Sequence, residues 1–162
     1  MLVLKLSGLF NRPIDHLPAS LRTLLVSDRF NQPIQHLPEN WEVLRICSDF
    51  NQNVDHLPAK LKNLRFLGYS FVSALNHTLA RLPDNLQELE LSLSREYNHP
   101  IDSLPVGLWK LKMRPDFIQN IDHLPAHLEH LEFDYRSNCN ESVDALPSTL
   151  KVLIFYIISI MQ

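Results

Sequence analysis

A chain of 162 residues, 45% hydrophobic and 20% charged, has the length and composition of a soluble globular protein with one substantial core. Its net charge of -3 and pI near 6.2 argue against a nucleic-acid surface, which needs a basic stripe. Eleven prolines against three glycines favour extended segments over long helices.

The first predicted element is a strand in "LVLKL", which lacks the charged region, apolar stretch and cleavage site of a signal peptide. From Phe10 the text "FNRPIDHLPASLRTLLV" begins, and close copies follow from Phe30 and Phe50. Anchored on Leu-Pro, the copies place prolines at Pro18, Pro38, Pro58, Pro83, Pro105, Pro125 and Pro147. A short fixed period over nearly the whole chain predicts a solenoid, in which no unit buries its apolar side alone. Residues 1–162 are therefore read as one domain of seven repeats, with an insertion at about 68–74.

Each copy ends in a period-2 alternation, as in "LKNLRF", and this predicts a short strand. Equivalent strands centre on Leu24, Leu44, Leu64, Leu89, Leu111, Leu131 and Leu153, and would stack as one parallel sheet. Paired prolines such as Pro13 and Pro18 forbid a helix on the return side, which is expected to be extended or a single tight turn. The longest apolar run lies in the C-terminal end, 152–162, and is too short for a membrane span.

At the head of each copy, an Asn side chain can serve backbone groups both of its own turn and of the next coil. Asn11, Asn31, Asn51, Asn76, Asn98 and Asn140 are predicted to form an asparagine ladder, and Phe10, Phe30, Phe50, Tyr97 and Phe117 an aromatic spine beside it. Ile118 replaces the ladder Asn in one copy, so that turn must be satisfied another way. Cys139 replaces the aromatic in another. Neither Cys47 nor Cys139 has metal or disulfide-framework spacing, and both are expected to be thiols in a reducing, intracellular and cytoplasmic setting.

The stretches "FNRPIDHLP", "FNQPIQHLP", "FNQNVDHLP" and "YNHPIDSLP" resemble the FNIP repeat family, a short relative of leucine-rich repeats found in social amoebae and giant viruses. "ALNHTLARLP" is the weakest copy. The resemblance implies a β-rich, open, right-handed, leucine-rich-repeat-like solenoid used for protein–protein interaction. Some members carry an N-terminal F-box and look like substrate-recognition parts of ubiquitin ligases. No F-box motif is visible here, as the repeats begin at residue 2.

His16, His36, His56 and His123 recur before Leu-Pro and raise a metal-binding alternative, but a straight row supplies too few convergent ligands. Asp15, Asp55, Asp102, Asp122 and Asp144 beside them read as turn-capping carboxylates. No nucleophile recurs with them, so no catalytic residue, metal or cofactor is expected. The outward strand positions remain as the candidate partner surface. One column runs Lys5, Leu25, Arg45, Arg65, Glu90, Lys112, Glu132, Ile154, and its neighbour Val3, Thr23, Val43, Asn63, Glu88, Lys110, His130, Val152. Alternating signs from Arg65 onward predict cross-strand ion pairs. Trp109 stands where other copies carry polar residues and is a hot-spot candidate. Ile154 and Tyr156 add an apolar C-terminal end, expected either to cover itself or to form a homodimer.

Overall fold

The computed structural model describes residues 2–26, 29–47, 49–67, 75–92, 97–114, 117–133 and 144–155. Among them are the strands β1 (Leu2–Leu6), β2 (Leu21–Val26), β3 (Val43–Cys47), β4 (Asn63–Leu67), β5 (Glu88–Leu91), β6 (Lys110–Met113), β7 (His130–Phe133) and β8 (Val152–Phe155). They form one sheet in the order β1 to β8, every neighbouring pair parallel, and no described residue is helical. The predicted insertion at 68–74, Cys139, Asn140 and Tyr156 lie outside the described residues.

Register stacks like on like. Leu24, Leu44, Leu64, Leu89, Leu111 and Leu131 lie over one another and are at most 1% exposed. Two residues on, Val26, Ile46, Phe66, Leu91, Met113 and Phe133 form a second buried column. The repeat's remaining aliphatics, including Ile14, Ile34, Val54, Leu79, Ile101 and Ile121, close the core from the return side. Each buried Leu or Ile contributes roughly 1.5–3 kcal/mol. No coil could reach that burial without its neighbours.

The Leu-Pro proline has a definite job. Its carbonyl accepts from the amide three residues on, as in Leu21 N to Pro18 O (3.1 Å), Leu61 N to Pro58 O (3.0 Å), Leu86 N to Pro83 O (2.9 Å) and Leu128 N to Pro125 O (2.9 Å). These are β-turns that deliver the chain into the next strand. The third residue of such a turn then ties it to the coil before. Asn40 Nδ2 donates to Ala19 O (3.4 Å), Asn85 Nδ2 to Ala59 O (2.9 Å), and Thr149 Oγ1 to Ala126 O (2.7 Å).

On the other side of the coil, the amide of Asn31 donates to Asn11 Oδ1 (2.9 Å), Asn51 to Asn31 Oδ1 (2.9 Å), and Asn76 to Asn51 Oδ1 (3.1 Å). The amide of Ile118 still reaches Asn98 Oδ1, at 3.3 Å. That turn is thus served from below in the usual way, and only the acceptor that Ile118 would offer onward is missing. The next residue adds a second donor in several coils. Gln52 Nε2 donates to Asn31 Oδ1 (2.9 Å), and His99 Nε2 lies 2.9 Å from Asn76 Oδ1 and 3.0 Å from Asn76 O. Both of these partners are acceptors, so Nε2 carries the proton.

Phe10, Phe30 and Phe50 stack with centroids 6.3 Å apart, and Tyr97 and Phe117 lie 6.5 Å apart. Phe133 and Phe155, a strand pair in the core, stack at 4.8 Å. Where Leu75 interrupts the spine, Phe66 from β4 packs against Phe50, with centroids 6.1 Å apart.

Asn51→Ala removes the acceptor of the Asn76 amide and is expected to cost roughly 1–3 kcal/mol. Urea unfolding would show a lowered midpoint at constant slope. Asn53→Ala, which loses only exposed bonds within its own turn, to the Asp55 amide and carboxylate, should cost clearly less.

Candidate functional site

The candidate surface is the outward side of the sheet. From β4 onward it is an ionic lattice. Arg65 Nη2 lies 2.9 Å from Glu88 Oε2, and Arg65 Nε lies 3.8 Å from Glu90. Lys112 Nζ bridges Glu90 at 3.9 Å and Glu132 at 3.1 Å, and His130 Nε2 lies 3.4 Å from Glu132 Oε2. Ser92 Oγ donates to Glu90 Oε1 at 2.9 Å. Arg65, Glu88, Glu90, Lys110, Lys112 and Glu132 line a depression of about 250 Å³. Side chains from four successive strands, β4 to β7, meet there.

Partial burial pushes the Glu132 carboxyl up, but the ammonium of Lys112 and then the imidazole of His130 outweigh it and hold the group below its ordinary value. Exposed ion pairs of this kind contribute roughly 0.2–1 kcal/mol each.

The same surface changes character toward β1. Opposite Arg45 in register stand Leu25 and Arg65, and beyond Leu25 stands Lys5. A small depression of about 150 Å³ lies among Lys5, Leu25, Arg45, Cys47 and Leu67. Thr23, expected as a solvated member of the outward column, is only 6% exposed, because the neighbouring columns close over so short a side chain. The sequence reading is corrected at that position.

A second ionic row, not anticipated from the sequence, runs along the entry to the strands. Arg22 Nε lies 4.0 Å from Glu42, Lys62 Nζ 3.2 Å from Glu42, and Lys151 Nζ 2.8 Å from Glu129. Trp109 interrupts this row. Its backbone keeps the pattern, donating to Gln87 O (3.0 Å) and accepting from Glu129 N (2.9 Å), while its side chain is 38% exposed beside Val106, which is 76% exposed. Trp41, by contrast, takes the place of the turn-ending Leu and is wholly buried. On β8, Ile154 is partly buried, and Val152 and Leu153 are 38% and 40% exposed.

The histidine row is spread out. His16, His36, His56 and His123 are all exposed, and among the described residues no three His, Cys, Asp or Glu converge as metal ligands would. Asp55 and Asp122 sit in Asx turns, where their amides donate to Asn53 Oδ1 and Asn120 Oδ1, both at 2.6 Å. Among the described residues no helix is long and apolar enough to cross a membrane.

An all-parallel sheet of short, in-register coils with a helix-free return side is the architecture of a leucine-rich-repeat-like β-solenoid. The family model of the FNIP repeat matches residues 117–156. Among solved structures the chain is similar to the giant-virus protein CroV588, described as a novel circular leucine-rich-repeat protein. That likeness has 32% sequence identity and a TM-score of 0.77, and covers 95% of this chain. The chain spans 23% of the length of that protein. No curated protein sequence matches it.

Because the Glu132 carboxyl is held low in the fold, its contribution is present above the ordinary carboxylate range and is lost as pH falls through the folded value. Wild-type stability should therefore fall as the pH is lowered through and below about 4.5, the ordinary value for this group. Thermal melts of Glu132→Gln over the same range should show a shallower decline and lower stability at neutral pH.

Proposed function

We propose that the protein is a non-catalytic binding module whose outward sheet surface docks another protein. The reading rests on the continuous, in-register row of outward side chains between Lys5 and Ile154, flanked by the exposed Trp109. A repeat fold of this class generally serves as an interaction scaffold. An indole at the border of a charged surface offers the large, rigid contact area on which binding energy concentrates. Arg65, Glu88, Glu90, Lys110, Lys112 and Glu132 would then supply orientation through charge rather than most of the affinity. Service as the recognition part of a ligase adaptor is a special case of the same surface.

Self-association is the competing use of exposed apolar area, favoured by Val152 and Leu153 on β8. Light scattering decides it: a dimer that Ile154→Asp converts to monomer supports this reading, and a monomeric wild type removes it.

Panning a random-peptide display library on the immobilised protein tests the main reading. Enriched binders should lose about tenfold in affinity on Trp109→Ala or Lys112→Glu, and none on His56→Ala on the return side. No enrichment, or binders indifferent to both surface variants, would refute it.

A further inference from the structure

The ionic lattice covers only part of the sheet. Outward residues of β1 to β4 include three cations, Lys5, Arg45 and Arg65, and no carboxylate among those described. Arg65 is taken up by Glu88 and Glu90 of the neighbouring strand. Arg45 is different. Its neighbours in register are Leu25 and the like-charged Arg65, and its Nε is buried with no hydrogen-bond partner among the described residues. Like charges directly opposite on adjacent strands repel, and a buried charged donor without an acceptor is costly. Thr23 Oγ1 on the same surface is likewise buried and without a partner among the described residues. The depression beside Arg45 has apolar walls supplied by Leu25 and Leu67. In register Lys5 and Arg45 flank Leu25, so the slot has a cation on either side of an apolar residue and no anion of its own.

We infer that this slot receives an extended acidic segment of a partner protein, with an apolar residue seated over Leu25 and carboxylates reaching Arg45 and Lys5 on either side of it. The inference rests on the binding-module reading and names the chemistry of the partner. Charge complementarity selects this occupant. A carboxylate supplies the acceptor that Arg45 lacks and relieves its repulsion with Arg65, whereas a basic segment would worsen both. Side chains two apart in an extended chain project the same way, so an acid–x–apolar–x–acid order fits a slot with cations flanking an apolar centre.

The test is an NMR titration of the ¹⁵N-labelled protein with a peptide bearing Glu-Ser-Leu-Ser-Glu in a Gly-Ser frame. Controls carry Lys in place of both Glu, or Ser in place of Leu. Shifts should concentrate on outward residues of β1 to β4, with affinity falling at least about fivefold for Arg45→Gln, for Lys5→Gln and for each control peptide, and falling again as salt rises. Lys5 is exposed, so Lys5→Gln keeps the test valid even if Arg45→Gln perturbs the fold. Equal binding of the lysine peptide, shifts centred on Glu88 to Glu132, or indifference to both variants would overturn the proposal. If this peptide fails while library binders still depend on Trp109 or Lys112, the slot is refuted and the binding-module reading stands. If neither binds, both fall.

Discussion

A coil of this solenoid cannot satisfy the first amide of its own return turn, and the fold depends on how the coil beneath solves that problem. The Asn carbonyl of one layer takes the amide of the Asn above, at 2.9 Å for both Asn11 to Asn31 and Asn31 to Asn51. Leaving such a donor unserved in a partly buried place costs as much as a hydrogen bond is worth or more. A different side chain at one layer therefore harms the layer above it more than its own. Ile118 illustrates the asymmetry: its amide is held by Asn98, while its side chain, 65% exposed, offers nothing upward.

The ladder also explains why the repeat tolerates so little change around it. The amide bond fixes the height of each coil, the stacked rings of Phe10, Phe30 and Phe50 fill one side, and the Leu columns fill the sheet side.

Much of this was readable in the sequence because repetition converts a weak local signal into a strong one. A single Asn near a turn says little, but Asn in phase over consecutive coils can only be a stack. Features carried by one coil, or by residues of mixed type, were harder to see. Asn40, Asn85 and Thr149 tie successive turns together, yet they differ in chemistry and so did not read as a column. Their shared signal was a short hydrogen-bonding side chain two residues after the repeat proline. Gln32, Gln52, His77 and His99 left a similar trace, since each follows a ladder Asn and ends in a nitrogen. Thr23 holds the column position between Val3 and Val43 that alternation assigns it, but its burial was not legible, because alternation gives the direction of a side chain and not its depth. For the candidate surface, the sign alternation beyond Arg65 was legible, while the row through Arg22, Glu42 and Lys62 was not, as no alternation continues through Gln87 and Trp109.

That interrupted row bears on what the surface is for. An exposed cross-strand ion pair contributes only a fraction of a kcal/mol to about 1 kcal/mol, so replacing one rung by another residue costs the fold little. The position of Trp109 is held by backbone bonds to Gln87 and from Glu129, which any residue but proline could make. Stability therefore asks nothing particular of this side chain, and an indole partly exposed beside Val106 adds apolar area to water. The core shows the contrast, since Trp41 fills the same kind of volume at full burial and is accounted for by packing alone. Trp109, at 38% exposure, is not accounted for by packing in that way.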